Sequence, residues 1–150
     1  MSWWSRLLGG RSESKLKPQR LDYLSEALAL ERQGDYDAAL TSYRLALRDQ
    51  PNDPRILQNM AIAYSKTGRL EEAVRTYRRA LDLDPSLSGA HYGLGFLLLR
   101  RGDAAGGAKP LEAFLDAPPK GAEAERWIRH AQDTLEELRA PRDETAEPEA

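Results

Sequence analysis

The chain has 150 residues, 41% apolar and 31% charged, which is enough of both to bury one core and wet one surface. It has no cysteine, so disulfides and thiolate metal sites are excluded. Its formal charge of -2 hides a gradient: residues 1–20 set Arg6, Arg11, Lys15, Lys17 and Arg20 against Glu13 alone, while residues 141–150 set Arg142 against Asp143, Glu144, Glu147 and Glu149. No basic face is expected over the middle of the chain, so nucleic acid is not an expected partner.

The first ten residues, MSWWSRLLGG, place Trp3, Trp4, Leu7 and Leu8 on one side of two helical turns, with Gly9 and Gly10 as a stop. Eight residues do not hold a helix alone in water, and adjacent tryptophans are costly to expose. The arm reads as docking on a membrane interface, a partner or the protein's own groove, with a frayed or locally packed terminus of no role as the alternative. The nearby basic residues suit an anionic headgroup layer. Residues 11–19 are polar and linker-like. The longest apolar run, LGFLLL, is too short to span a bilayer, and no secretory signal is apparent. The expected location is cytoplasmic, with membrane association through the arm as an alternative.

From Arg20 the chain repeats every 34 residues, as units 20–53, 54–87 and 88–121. Gly34, Gly68 and Gly102 fall in one column, where each closes a helix and permits a left-handed backbone. Ala27, Ala61 and Gly95 form a small-residue column, and Ala39, Ala73 and Gly107 form another. Large residues alternate with them: Tyr43, Tyr77 and Leu111, then Leu30, Tyr64 and Leu98. Packed helical hairpins need this alternation of knob and gap. Pro51, Pro85 and Pro119 close the units, and Asp53 followed by Pro54 reads as an N-cap with proline at the first helical position. Gly106 and Gly107 weaken the second helix of the third unit by about 1 kcal/mol each relative to alanine.

These columns resemble the tetratricopeptide repeat family, most closely in the second unit, with Leu57, Met60, Ala61, Tyr64, Gly68, Ala73, Tyr77, Ala80 and Pro85. Glu26, Gly107 and Phe114 depart from the family pattern. The resemblance implies an all-α fold, a right-handed superhelix of helical hairpins. Residues 122–140, with Trp127, Ala131, Leu135 and Leu138 at helical spacing and Ile128 beside them, read as a capping helix, and residues 141–150 as an acidic disordered tail.

No catalytic constellation is present. His91 and His130 lie far apart in sequence, the carboxylates suit helix ends and solvated faces, and GDAAGGAK lacks the spacing and hydroxyl of a phosphate loop. Calcium and zinc spacings are absent, so no cofactor, metal or enzymatic activity is expected.

In the resembled family the first helix of each repeat lines a concave groove that holds a partner segment. By register, that groove takes Leu21, Leu24, Leu28 and Glu31; then Arg55, Gln58, Asn59, Ile62, Ser65 and Lys66; then Gly89, Tyr92, Phe96, Leu99 and Arg100. Its outer members are mostly apolar and its middle polar, which suits an apolar or helical segment. Family members that clamp a terminal carboxylate use lysine, asparagine and arginine; only Asn59 is in place here, with Leu24, Leu28, Gly89 and Gly93 at the other positions. The leading expectation is a non-catalytic adaptor or assembly factor. The alternatives are a holding chaperone for exported or membrane proteins, similar to the small acidic three-repeat chaperones of bacterial secretion systems, and a membrane-peripheral scaffold anchored by the arm.

Overall fold

The computed structural model describes residues 22–140, which form seven α-helices and no strand among the described residues: α1 Tyr23–Arg32, α2 Tyr36–Asp49, α3 Pro54–Lys66, α4 Leu70–Leu83, α5 Ser88–Arg100, α6 Ala104–Asp116 and α7 Ala124–Arg139. The arm residues Trp3, Trp4, Leu7 and Leu8, together with Leu21 and the acidic tail, lie outside the described residues.

Three hairpins, α1–α2, α3–α4 and α5–α6, are made by one turn used three times. Gly34, Gly68 and Gly102 carry φ of 79°, 76° and 88°. A Cβ at any of them would meet nothing within 4 Å, so the backbone angle, and not crowding, requires glycine. The next residue's N–H reaches back to the last turn: Asp35 to the Leu30 carbonyl at 3.0 Å, Arg69 to Tyr64 at 2.9 Å, and Asp103 to Leu98 at 2.9 Å. The glycine N–H groups complete the motif on Glu31, Ser65 and Leu99. The residue after each glycine also starts the following helix. The Asp35 carboxylate accepts from the Ala38 N–H at 3.2 Å and Asp103 from Gly106 at 2.8 Å, whereas Arg69 makes no such cap. Arg69 pairs instead with Asp37 of the preceding hairpin at 3.2 Å, and Arg101 with Glu71 at 3.0 Å. Such exposed pairs contribute about 0–1 kcal/mol each.

The hairpins stack in chain order: α3 packs on α2 and α4, and α5 on α4 and α6. The expected N-cap at Asp53 is present, accepting from the Arg55 N–H at 2.9 Å, with Pro54 opening α3. The small columns sit where helices cross. Ala27, Ala39, Ala61 and Ala73 are fully buried. In the third hairpin both positions are glycine, and the helices come closer still. A Cβ on Gly107 would stand 2.8 Å from the Gly95 carbonyl oxygen, and one on Gly95 would stand 2.7 Å from Leu111. Close packing therefore offsets the poor helix propensity of Gly107, and α6 runs unbroken past Pro110 as well. That proline removes one intrahelical donor, an interruption not anticipated from the repeat pattern.

The core forms one cluster per hairpin interface. Tyr43, Leu40, Ile56 and Met60 centre the first, Val74, Tyr77, Leu94 and Leu98 the second, and Leu111, Phe114, Ala131 and Leu135 the third. The capping helix differs from its expected stripe in one respect. Ala124, Ala131 and Leu135 are buried with Ile128 beside them, while Trp127 and Leu138 remain 40% and 38% exposed at the margins. Ala124, Ile128, Ala131 and Leu135 lie closer to one helical line, and the small residues let α7 approach α6.

Candidate functional site

The surface to which the repeats contribute equally is the one carried by α1, α3 and α5, the first helices of the hairpins. Consecutive first helices touch directly at α3 and α5. There Gln58 lies so close over Gly89 that a Cβ at position 89 would stand 2.5 Å from its side-chain nitrogen.

The register positions group by chemistry along this face. At one end Leu24 and Leu28 are half-buried against the first cluster. In the middle Arg55 and Lys66 are exposed, Gln58, Asn59 and Ser65 are half-buried, and Ile62 packs against the second cluster. At the other end Tyr92, Phe96 and Leu99 are half-buried against the third cluster, and Arg100 is exposed.

The third-repeat end is not free in the way the sequence suggests. Trp127 meets Tyr92 edge-on at 5.2 Å between ring centroids. His130 stacks on Phe96 at 4.3 Å, with the rings 3° from parallel. Its Nδ1 also shares a 2.7 Å hydrogen bond with the Tyr92 hydroxyl. Burial raises Tyr92 above the ordinary tyrosine range. Two residues assigned to the groove thus also hold the capping helix, which adds Trp127 and His130 to this end of the face. Spacing carried a signal for this: Trp127 and His130 are three residues apart and share one side of α7. The other histidine is bonded too, its Nε2 lying 2.8 Å from the Pro85 carbonyl oxygen.

A second feature absent from the sequence reading links the hairpins beneath the face. The Tyr43 hydroxyl donates to Glu31 at 2.6 Å, and burial together with this bond raises Tyr43 well above its ordinary range. Tyr77, in the same column one repeat later, is pushed up to about 12 by burial and by the Glu31 charge. Its ring lies against Gly93, where a Cβ would stand 2.6 Å from the ring carbon bearing the hydroxyl. Of two positions of the carboxylate-clamp pattern, exposed Gly89 therefore lies beside the flexible end of Gln58, and half-buried Gly93 is packed against Tyr77. A side chain at Gly93 would have to displace a buried ring.

Among the described residues no group of three or more His, Cys, Asp or Glu is arranged to hold a metal ion, and no helix is long and apolar enough to cross a membrane.

The family pattern described as the TPR repeat matches residues 27–68 and 63–102. The photosystem I assembly protein Ycf3 of Acaryochloris marina is 31% identical over 125 residues, covering 71% of this chain and 75% of that protein. The chain spans 11% of the length of the TPR repeat-containing thioredoxin TTL4 of Arabidopsis thaliana and 36% of the Ycf3 of Parasynechococcus marenigrum, so it matches only part of these curated relatives. Among solved structures, the Sgt2 TPR domain from Aspergillus fumigatus superposes with a TM-score of 0.68 at 26% identity, covering 89% of this chain and 92% of that one. The Yersinia enterocolitica type III secretion chaperone SycD, solved with a peptide of the translocator YopD, gives 0.73 at 16% identity, covering 85% and 94%; at that identity the likeness is one of fold. With turns, small columns and hairpin stacking all in register, the chain belongs to the tetratricopeptide repeat family.

Proposed function

We propose that this chain is a non-catalytic adaptor or assembly factor, acting in the cytoplasm, that holds an apolar or helical segment of a partner protein on the α1–α3–α5 face. The observation that carries this reading is the distribution of half-buried side chains: Leu24 and Leu28 at one end, Tyr92 and Phe96 at the other, and Gln58 and Asn59 between them. An apolar segment with a polar middle is complementary to that pattern, because its ends lose water without unpaired polar groups while the centre finds amide partners. The assembly role of the Ycf3 relative supports the same reading. The test is recovery of partners from cells by the full chain and by Leu28→Glu and Ile62→Glu, with helicity checked by circular dichroism. These positions are preferred to Tyr92 and Phe96, which also hold α7. Loss of a stoichiometric partner with both variants is expected; unchanged recovery would place the binding surface elsewhere.

A holding chaperone is the second reading, favoured by the likeness to a secretion chaperone crystallised with a client peptide. Suppression of aggregation of several unrelated apolar clients would select it over an adaptor, which is expected to protect only its own partner.

A further inference from the structure

We propose that the chain's own N-terminal arm, Trp3 to Leu8, folds back into the cleft at the start of α1 and caps that end of the stack, leaving Leu28 outside it on the partner face. The proposal starts from a disparity between helices in the same repeat position. α3 buries Ile56, Leu57, Met60, Ala61 and Ala63, and α5 buries Ala90, Leu94, Gly95, Leu97 and Leu98, whereas α1 buries Ala27 alone. One cause is sequence, since exposed Glu26 stands where α3 and α5 bury Met60 and Leu94. The other is neighbours: among the described residues α3 and α5 each rest on the second helix of a preceding hairpin, and α1 has none. Ala29 stays half-buried in consequence where Ala63 and Leu97 are buried, and Tyr23 where Leu57 is buried. The column that holds Ile56 at 1% exposure and Ala90 at 0% holds exposed Asp22 in the first hairpin.

That uncovered place is a cleft of about 390 Å³ between the start of α1, the end of α2 and the start of α3. Half-buried Tyr23 and Leu24 give it apolar walls over the nearly covered Ala46 and Ile56, and among the described residues its polar lining is Asp22, Asp49 and Gln50. The volume suits an aromatic side chain with aliphatic neighbours. The arm supplies the complement on both counts, two tryptophans and two leucines, with five basic residues against one acid in positions 1–20. It is also tethered at the site, since Asp22 both lines the cleft and continues the arm into α1. The segment from Leu8 to Asp22 spans at most about 50 Å when extended, so reach is not limiting. Such a short tether gives a local concentration on the order of millimolar. The opposite end of the face is less open to the same tryptophans, because Trp127 and His130 already lie against Tyr92 and Phe96.

The experiment uses the full chain carrying Trp127→Phe, which leaves Trp3 and Trp4 as its only tryptophans. Expected are a blue-shifted emission maximum and acrylamide quenching at least threefold weaker than for a free peptide of residues 1–12, both independent of protein concentration. Asp49→Lys, an exposed change, should raise quenching at least twofold, while Ile62→Glu leaves it unchanged. Deleting residues 1–10 should speed amide hydrogen exchange in α1 at least fivefold and leave α7 unaffected. Four results would overturn the proposal: fully quenched tryptophans in the parent, exposure by Ile62→Glu but not by Asp49→Lys, a blue shift that appears only with anionic phospholipid vesicles, or one that appears only on self-association.

Discussion

At the C-terminal end of the stack, α7 lays Ala131 and Leu135 over Leu111 and Phe114, and Trp127 and His130 over Tyr92 and Phe96. At the N-terminal end, α1 occupies the same repeat position as α5 yet buries only Ala27. Repeat arrays derive stability from each unit plus its interfaces with neighbours, so an end without a neighbour lacks one interface. The lesson is that burial here follows both position in the stack and local sequence: Ala29 is half-buried where Ala63 and Leu97 are buried, while Asp22 and Glu26 stand where the next repeat buries Ile56 and Met60.

The largest expected contrast is in core deletions at the two ends. Phe114→Ala, at 2% exposure, should cost about 3–5 kcal/mol. Leu28→Ala, half-buried, should cost about 1–2 kcal/mol. Urea unfolding measures both. Equal costs would mean that Leu28, which does not line the cleft assigned to the arm, is covered as fully as Phe114.

Alkaline pH should separate the ends next. The large column holds buried Tyr43 and Tyr77 in the first two hairpins and Leu111 in the third, so the tyrosine raised at the C-terminal end is the less buried Tyr92. With Tyr77 held at about 12, the unfolded chain releases its proton near pH 10 while the folded chain keeps it. The associated stability is complete below pH 10 and is lost as pH rises to about 12, approaching about 2–3 kcal/mol. Tyr43 acts in the same direction. Tyr77→Phe should flatten the decline seen in urea titrations between pH 9 and 11; an unaltered slope would assign it to other groups.

The fold was legible because its determinants recur. One glycine column, two small columns and one proline column each predicted a feature that depends on local geometry: a positive φ, a close crossing, a helix end. What escaped the sequence depends on particular side-chain contacts within the first hairpin, between hairpins and with α7. Nothing in a periodic pattern says that Tyr43 reaches Glu31, that Tyr77 covers Gly93, or that His130 stacks on Phe96. The face positions were assigned by register, which gave no sign of the double duty of Tyr92 and Phe96. That duty arises from a helix outside the repeat, whose buried line also runs through Ala124 and Ile128 and leaves Trp127 at its margin.

A third difference between the ends is the crossing itself. Gly107→Ala gains about 1 kcal/mol in helix propensity but forces a Cβ against the Gly95 carbonyl and Leu99. Overpacking of this kind costs about 1–3 kcal/mol, so net destabilisation of up to about 2 kcal/mol is expected. Ala39→Gly, at the matching place in the first hairpin, should cost about 1 kcal/mol through propensity. If Gly107→Ala is stabilising, the third hairpin is no tighter than the first.

The smallest effect sharpens the comparison most, because it concerns a residue that belongs both to the cap and to the proposed binding face. Tyr92→Phe removes the hydroxyl bonded to His130 and keeps the ring that meets Phe96, Phe114 and Trp127. The bond lies at an exposed site, so a loss of about 0.5–1 kcal/mol is expected. It should be read as roughly two- to fivefold faster hydrogen exchange in α7, with α1 unchanged. Partner recovery should persist, since the apolar surface is intact. Loss of the partner with α7 protection unaltered would instead mean that the hydroxyl serves the partner, and that the third-repeat end is held by ring packing alone.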